Sequence, residues 1–147
     1  MICVDASVAI KWLLPDNEDY ADNALALLNE IDERAETIVA PPLLWSEITN
    51  ALRQRVRQAV LSVDEALSIF DDFLGLGIIA RSPDGLHRLA LELACRYELP
   101  AAYDAHYVAL AELLDCALWT DDRRLVTQIR PRPSYLRPIS DYKQSTV

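Results

Sequence analysis

Four acids, Asp5, Glu47, Asp104 and Asp122, each fall where a short apolar run, or the proline after it, hands over to a helical stretch. In a parallel α/β sheet such junctions lie along one edge, so carboxylates far apart in sequence can meet in one pocket. Carboxylates about 5 Å apart repel by about 3 kcal/mol per pair at an effective dielectric of about 20, which raises their pKa values or strains the fold. Helix N-termini offset part of this, and a hard divalent ion such as Mg²⁺ or Mn²⁺, which prefers oxygen ligands, offsets the rest. An ion so held lowers the pKa of a bound water and steadies the charge on a phosphate under attack, the chemistry of metal-assisted phosphodiester hydrolysis. Taken singly, each acid also has a plain structural role. Asp5 and Asp122 can serve as helix N-caps, and Glu47 and Asp104 as first-turn acids that complement a helix dipole. Asp104 shares a stripe with Val108 and Ala111 and is expected to point along a packed face.

The elements that must position these acids follow from apolar spacing. Residues 1–4 read as a strand ended by Asp5, and 6–14 as a helix stopped by Pro15. Ala24, Leu27, Leu28 and Ile31 mark an amphipathic helix, and residues 37–40 a second strand closed by Pro41 and Pro42. A helix of about 43–58 then starts beyond the prolines, with Glu47 near its beginning. Ser62 and Glu65 form a capping box opening a helix over 63–74, which Gly75 and Gly77 end. Residues 78–81 give a third strand, 86–97 and 101–114 a helical pair broken at Pro100, 117–120 a fourth strand, and 122 to about 129 a short helix. Residues 135–139 suggest an edge strand, the one kind of strand in which Pro138 is tolerated. Alternating strands and helices argue for a mostly parallel sheet of four or five strands, covered on both faces.

The chain has 147 residues, 52% of them apolar, which predicts one domain over residues 1–147. No stretch approaches the roughly 20 uninterrupted apolar residues of a membrane span and no basic leader precedes the first strand, so the expectation is a soluble, cytoplasmic protein. Cys3, Cys95 and Cys116 form no CxxC pair and each is expected to pack as a small hydrophobe, which suits a reducing compartment. Two histidines, His87 and His106, without paired ligand spacing give a zinc site little support. Gly75, Gly77 and Gly85 cannot build a dinucleotide-binding turn or a phosphate loop, so no nucleotide cofactor is expected, and there is no GxSxG elbow. A phosphatase or receiver with a similar layout would need a second aspartate two residues after Asp5, where Ser7 stands.

The formal charge of −9 argues against nucleic-acid binding by the whole surface. The charge is uneven, however: residues 121–147 carry six Lys/Arg and three Asp/Glu, and Arg53, Arg55 and Arg57 form a second basic cluster. These are either a solvated helix face plus a basic tail or two arms of a rim that contacts phosphates.

At the level of motifs the chain closely resembles the PIN-domain ribonucleases, in particular VapC-type toxins of prokaryotic type II toxin–antitoxin systems. MICVDASVAIKWLLP resembles that family's first strand and helix, APPLLWSEITNALRQRV its second block, LPAAYDAHYVALAELL its third and LWTDDRRL its fourth. The resemblance covers about residues 1–130 in the family's order, leaving 131–147 as an edge strand and irregular tail. It implies a PIN-like three-layer α/β/α sandwich and a Mg²⁺- or Mn²⁺-dependent endoribonuclease acting on RNA. It also implies silencing by a cognate VapB-type antitoxin, usually as a homodimer within a larger complex.

Asp5, Glu47, Asp104 and Asp122 then stand at the metal-site acids, with Asp5 and Asp104 holding the ion most directly. The family's threonine, any residue, aspartate pattern maps onto Thr120 and Asp122 and leaves Asp121 at the variable place, where it could share the role. Ser7 and Thr120 either hydrogen-bond an acid or the scissile phosphate, or serve only as helix-start and strand-end hydroxyls. Arg53, Arg55, Arg123 and Arg124 are candidates for the RNA backbone, His106 is read as a surface or rim residue with substrate contact as the alternative, and Trp12 and Trp45 are core or dimer-contact residues. The alternative is a PIN-like module that binds RNA or protein without cutting. Which RNA is cut, how many metals bind and which antitoxin pairs with the chain are not legible.

Overall fold

The computed structural model describes residues 1–16 and 19–143. Five short strands, β1 (Ile2–Val4), β2 (Ile38–Ala40), β3 (Ile79–Ala80), β4 (Ala117–Thr120) and β5 (Leu136–Pro138), form one sheet in the order β3-β2-β1-β4-β5, and every pair is parallel. From β1 the chain builds outward through β2 to β3, then crosses back to lay β4 on the other side of β1. The strand order therefore reverses between β1 and β4, the place where parallel α/β sheets leave a crevice beyond their carboxyl ends.

Among the described residues seven α-helices flank the sheet: α1 (Ala6–Leu13), α2 (Ala21–Glu33), α3 (Leu43–Arg57), α4 (Val63–Gly75), α5 (Leu86–Arg96), α6 (Tyr103–Leu113) and α7 (Arg123–Gln128). β1 and β2 are buried along their whole length, as strands covered on both faces must be, and their side chains Cys3, Val4, Val39 and Ala40 are inaccessible. Val8, Ile48, Phe73, Leu93, Leu110 and Leu118 bring the helices and β4 onto the same core. Trp12 is part of it, its indole N–H donating to the Ala24 carbonyl at 2.7 Å and tying α1 to α2.

The expected elements are all present, with differences at the edges. The third strand shrinks to two exposed residues, because β3 is a sheet edge with one neighbour. Ser62 and Glu65 do form the reciprocal capping box, while Gly75 belongs to α4 and only Gly77, at φ 67°, takes the left-handed turn out of it. Pro138 sits on the opposite edge strand, paired in register with Thr120. Cys95 is exposed on α5 and does not pack as a small hydrophobe, unlike the buried Cys3 and Cys116. Glu47 lies in the second turn of α3, whose first turn carries no acid, so a first-turn dipole role does not apply to it. Residues 144–147 of the expected irregular tail lie outside the described residues.

Candidate active site

Asp5 follows β1 directly and caps α1, its Oδ1 accepting the Val8 N–H at 3.2 Å. Its backbone N–H donates to the Trp119 carbonyl at 3.3 Å, which fixes it against the end of β4. Two hydroxyls complete its surroundings: Ser7 donates to Oδ1 and Thr120, from the last residue of β4, donates to Oδ2. Both hydroxyl oxygens are themselves acceptors, Ser7 from the Asp121 N–H at 2.8 Å and Thr120 from the Asp122 N–H at 2.9 Å. Since a hydroxyl has one proton, both Ser7 and Thr120 are committed to Asp5, and through it the β4–α7 connection is laced to α1. Burial pushes the Asp5 carboxyl up to about 6, against the pull of the three donors, and the nearby Glu47 charge adds to the rise.

The other acids come from three separate helices or their caps. Glu47 on α3 accepts a hydrogen bond at Oε2 from the hydroxyl of Tyr107, a buried residue of α6. Its pKa is raised by burial, opposed by the Tyr107 bond and reinforced by the charge of Asp104. Asp104 lies in the first turn of α6 and is half-buried, with Val108 and Ala111 of the same helix inside the core. Its pKa is raised by burial and by the charge of Asp122, and the guanidinium of Arg124 partly offsets this. Asp122 caps α7 by accepting the N–H groups of Arg124 at 2.9 Å and Leu125 at 3.0 Å. Repulsion thus runs unbroken from Asp5 to Glu47, to Asp104 and to Asp122.

Asp121 is engaged elsewhere. Its carboxylate pairs at 2.9 Å with the ammonium of Lys11, a buried residue of α1, so this ion pair anchors the connection that carries Thr120 and Asp122. The four arginines are spread out. Arg124 stands beside Asp104, Arg123 lies over the Tyr20 ring at 5.4 Å with a loose contact to Asp19, Arg55 donates to the Ala51 carbonyl, and Arg53 borders a groove between α3 and α4. His106 is half-buried, its Nδ1 donating to the Ala102 carbonyl at 2.6 Å, with His87 against its Nε2 at 3.0 Å. A carbonyl only accepts, so in the neutral pair the His87 Nδ1–H donates to His106. Trp45 is half-buried and meets Phe73 edge-on at 5.6 Å.

Lys11 and Tyr107 are the neighbours of the candidate acids that motif reading passes over. A lysine inside an apolar helix face and a tyrosine three residues after an acid, hence on its face of the helix, are the signals that point to them.

As donors the four acids are all oxygen, which fits a hard divalent ion better than zinc or copper. Among the described residues no group of three or more His, Cys, Asp or Glu side chains already stands as an ion-holding cage. The fit lies in the donor chemistry and in a repulsion that a cation would relieve.

A parallel five-stranded sheet between helices, with coupled acids at its carboxyl edge, is the layout of a PIN domain. The PIN-domain family model matches residues 2–128, and the chain belongs to that family. It is similar to the VapC ribonuclease Mb0985 of Mycobacterium bovis and to Ribonuclease VapC9 of Mycobacterium tuberculosis. Each is 35% identical over 125 residues, covering 85% of this chain and 88% of theirs. Ribonuclease VapC12 of Mycobacterium tuberculosis is 31% identical over the same length, 85% of this chain and 89% of its own. The crystal structure of PAE2754 from Pyrobaculum aerophilum shares the fold, with a TM-score of 0.65 over 95% of this chain and 83% of that one at 22% identity.

Proposed function

We propose that this chain is a divalent-metal-dependent endoribonuclease of the VapC toxin type, a single PIN domain that hydrolyses RNA phosphodiester bonds in the cytoplasm. The observation that carries this reading is the unbroken line of repulsion through Asp5, Glu47, Asp104 and Asp122, contributed by four separate segments at one edge of the sheet. Asp5 and Asp104 would hold a Mg²⁺ or Mn²⁺ ion most directly, with Glu47 and Asp122 completing the acidic ring. When bound, the ion supplies Lewis acidity to the scissile phosphate and lowers the pKa of the attacking water.

The residues around the acids have distinct tasks in this reading. Ser7, Thr120 and the Val8 N–H fix the Asp5 carboxylate, so that of its two oxygens Oδ2, with one donor, keeps a lone pair for the site. Tyr107 holds Oε2 of Glu47 and so restrains its carboxylate. Arg124 places a positive charge beside Asp104, where an RNA phosphate would otherwise meet only negative charge. The ion pair of Lys11 with Asp121 keeps Thr120 and Asp122 at the mouth of the crevice.

Silencing by a VapB-type antitoxin is supported by a groove of about 500 Å³ between α3 and α4, lined by Leu52, Val56, Val63, Leu67 and Phe70 and suited to the apolar face of a peptide. A homodimer is part of the same proposal. Among the described residues no helix is long and apolar enough to cross a membrane. The test is RNA cleavage by the purified chain with Mg²⁺ and with EDTA. Cleavage that EDTA abolishes supports the reading, and RNA left intact in both reactions turns it toward a binding module.

A further inference from the structure

Residues beyond 128 lie outside the span of the family match, yet they build directly onto the site. The Asp5 N–H bonds the Trp119 carbonyl, and Thr120 pairs with Pro138, so the end of β5 stands two strand spacings, about 10 Å, from the end of β1. Alongside β5 a cavity of about 370 Å³ opens, lined among others by Trp119, Arg132, Ser134, Arg137, Pro138 and Asp141. The Arg137 guanidinium lies over the Trp119 ring, 5.7 Å from its centroid, and Tyr142 braces the ring edge-on at 5.4 Å. The buried indole therefore serves as a platform for the exposed guanidinium, whose N–H groups can meet a ligand. Arg132 reaches Asp141 at only 3.5 Å, with Asp141 more than half exposed, so its charge is weakly neutralised. Residues 130–143 carry Arg130, Arg132, Arg137 and Lys143 against Asp141 alone, a balance of +3 in a chain of net −9.

We propose that this cavity is a phosphate-binding subsite for the RNA strand, in which Arg137 and Arg132 hold backbone phosphates next to the scissile bond; it rests on the ribonuclease reading above. A polyanion approaching the four acids is repelled unless a cationic hold lies within a few nucleotides, and Arg137 of β5, paired in register with Trp119 one residue before Thr120, supplies one, with Arg132 from the segment that leads into β5 beside it. The recognised group is phosphate and not a base. Among the described residues no amide side chain lines the cavity, and the indole face is occupied by Arg137. Binding there is sequence-tolerant and steeply dependent on salt.

The experiment uses the complete chain carrying Asp104→Asn, so that RNA is bound without being cut. A labelled single-stranded RNA of mixed sequence is titrated by fluorescence anisotropy at several salt concentrations. Changing Arg132→Gln and Arg137→Gln together is expected to weaken binding about tenfold and to flatten the slope of log K against log salt by about 1.4, two phosphate contacts on a single strand. Arg137→Lys, which keeps the charge and tests against simple misfolding, retains most of the slope. An unchanged slope and affinity in the double variant would overturn the subsite. So would a polyglutamate peptide that binds this face more tightly than the RNA at equal salt, since it would assign the cavity to an acidic protein. On the otherwise wild-type chain the double change raises KM more than it lowers kcat. A chain that holds RNA through these arginines but never cuts it, with Mg²⁺ present, would sink the nuclease reading while leaving the subsite standing.

Discussion

The two ends of the acidic line are built differently. At the Asp5 end the carboxylate is buried and receives three donors, and the hydroxyls that donate to it are themselves fixed by backbone N–H groups of the β4–α7 connection. At the Asp104 end the acid is half-buried and its charge is offset by Arg124, while Asp122 spends one oxygen on capping a helix. Asp5 is thus a fixed point whose geometry the fold determines. Asp104 is the less constrained acid, while Asp122 is pinned through Oδ1 by the N–H groups of Arg124 and Leu125. A site of this kind needs both, since preorganised donors set position and adjustable ones accommodate an ion and its waters.

The largest expected effect comes from the adjustable end. Asp104→Asn should lower RNA cleavage by about 10²–10³-fold or more, as loss of charge stabilisation in a closed site does, and leave the fold intact. Cleavage assays with circular dichroism on the same samples check this. At the fixed end the order should reverse, with stability suffering first. Thr120→Val leaves an Asp5 oxygen and the Asp122 N–H short of a partner, which should cost about 1–3 kcal/mol in denaturant unfolding, whereas Thr120→Ser restores it. Equal destabilisation by Val and Ser would mean that the methyl and not the hydroxyl matters.

Burial raises the acids at both ends, and the effect is clearest at Asp5. Asp5 titrates at about 6 in the folded chain against 3.8 as its ordinary value, so between these values the folded state binds more protons than the unfolded one. The metal-free protein should therefore lose stability as pH rises from about 4 to 6, by up to about 3 kcal/mol, then hold steady above. Unfolding curves in EDTA at pH 4, 5, 6 and 7 test this, and a midpoint that climbs over the interval would contradict it. Tyr107→Phe should act between the two ends, weakening Mn²⁺ binding by about tenfold while changing stability little, as loss of a partner that orients a ligand does. Smallest of all, Arg123→Gln should shift stability by less than about 0.5 kcal/mol, because its contacts with Asp19 and Tyr20 are exposed.

Much of this fold is readable from apolar spacing because the strands are central and the helices are bounded by strong caps. Ser62 with Glu65 predicts the start of α4, and β1, β2 and β4 announce themselves as short apolar runs. Edges are less legible. β3 loses half its expected length since a run such as 78–81 does not reveal how many residues find a neighbour. Charge roles are legible only when they follow local pattern. Asp5 and Asp122 look like caps and are caps, but Lys11 and Tyr107 sit in apolar stretches whose partners, Asp121 and Glu47, are 110 and 60 residues away. Arg53 and Arg123 looked equivalent to Arg124 in a linear reading, and only the fold separates a groove border and an aromatic stack from a charge beside Asp104.

The proposal is that four carboxylates from distant segments share a divalent-metal site. It is tested most directly by thermal melts of the wild-type chain and of Asp104→Asn, each with EDTA and with Mg²⁺. Asp104→Asn is expected to melt higher than the wild type in EDTA, by roughly 2–4 °C for each kcal/mol of repulsion relieved, and to gain nothing from Mg²⁺. A variant that melts no higher in EDTA and is stabilised by Mg²⁺ as much as the wild type would contradict it.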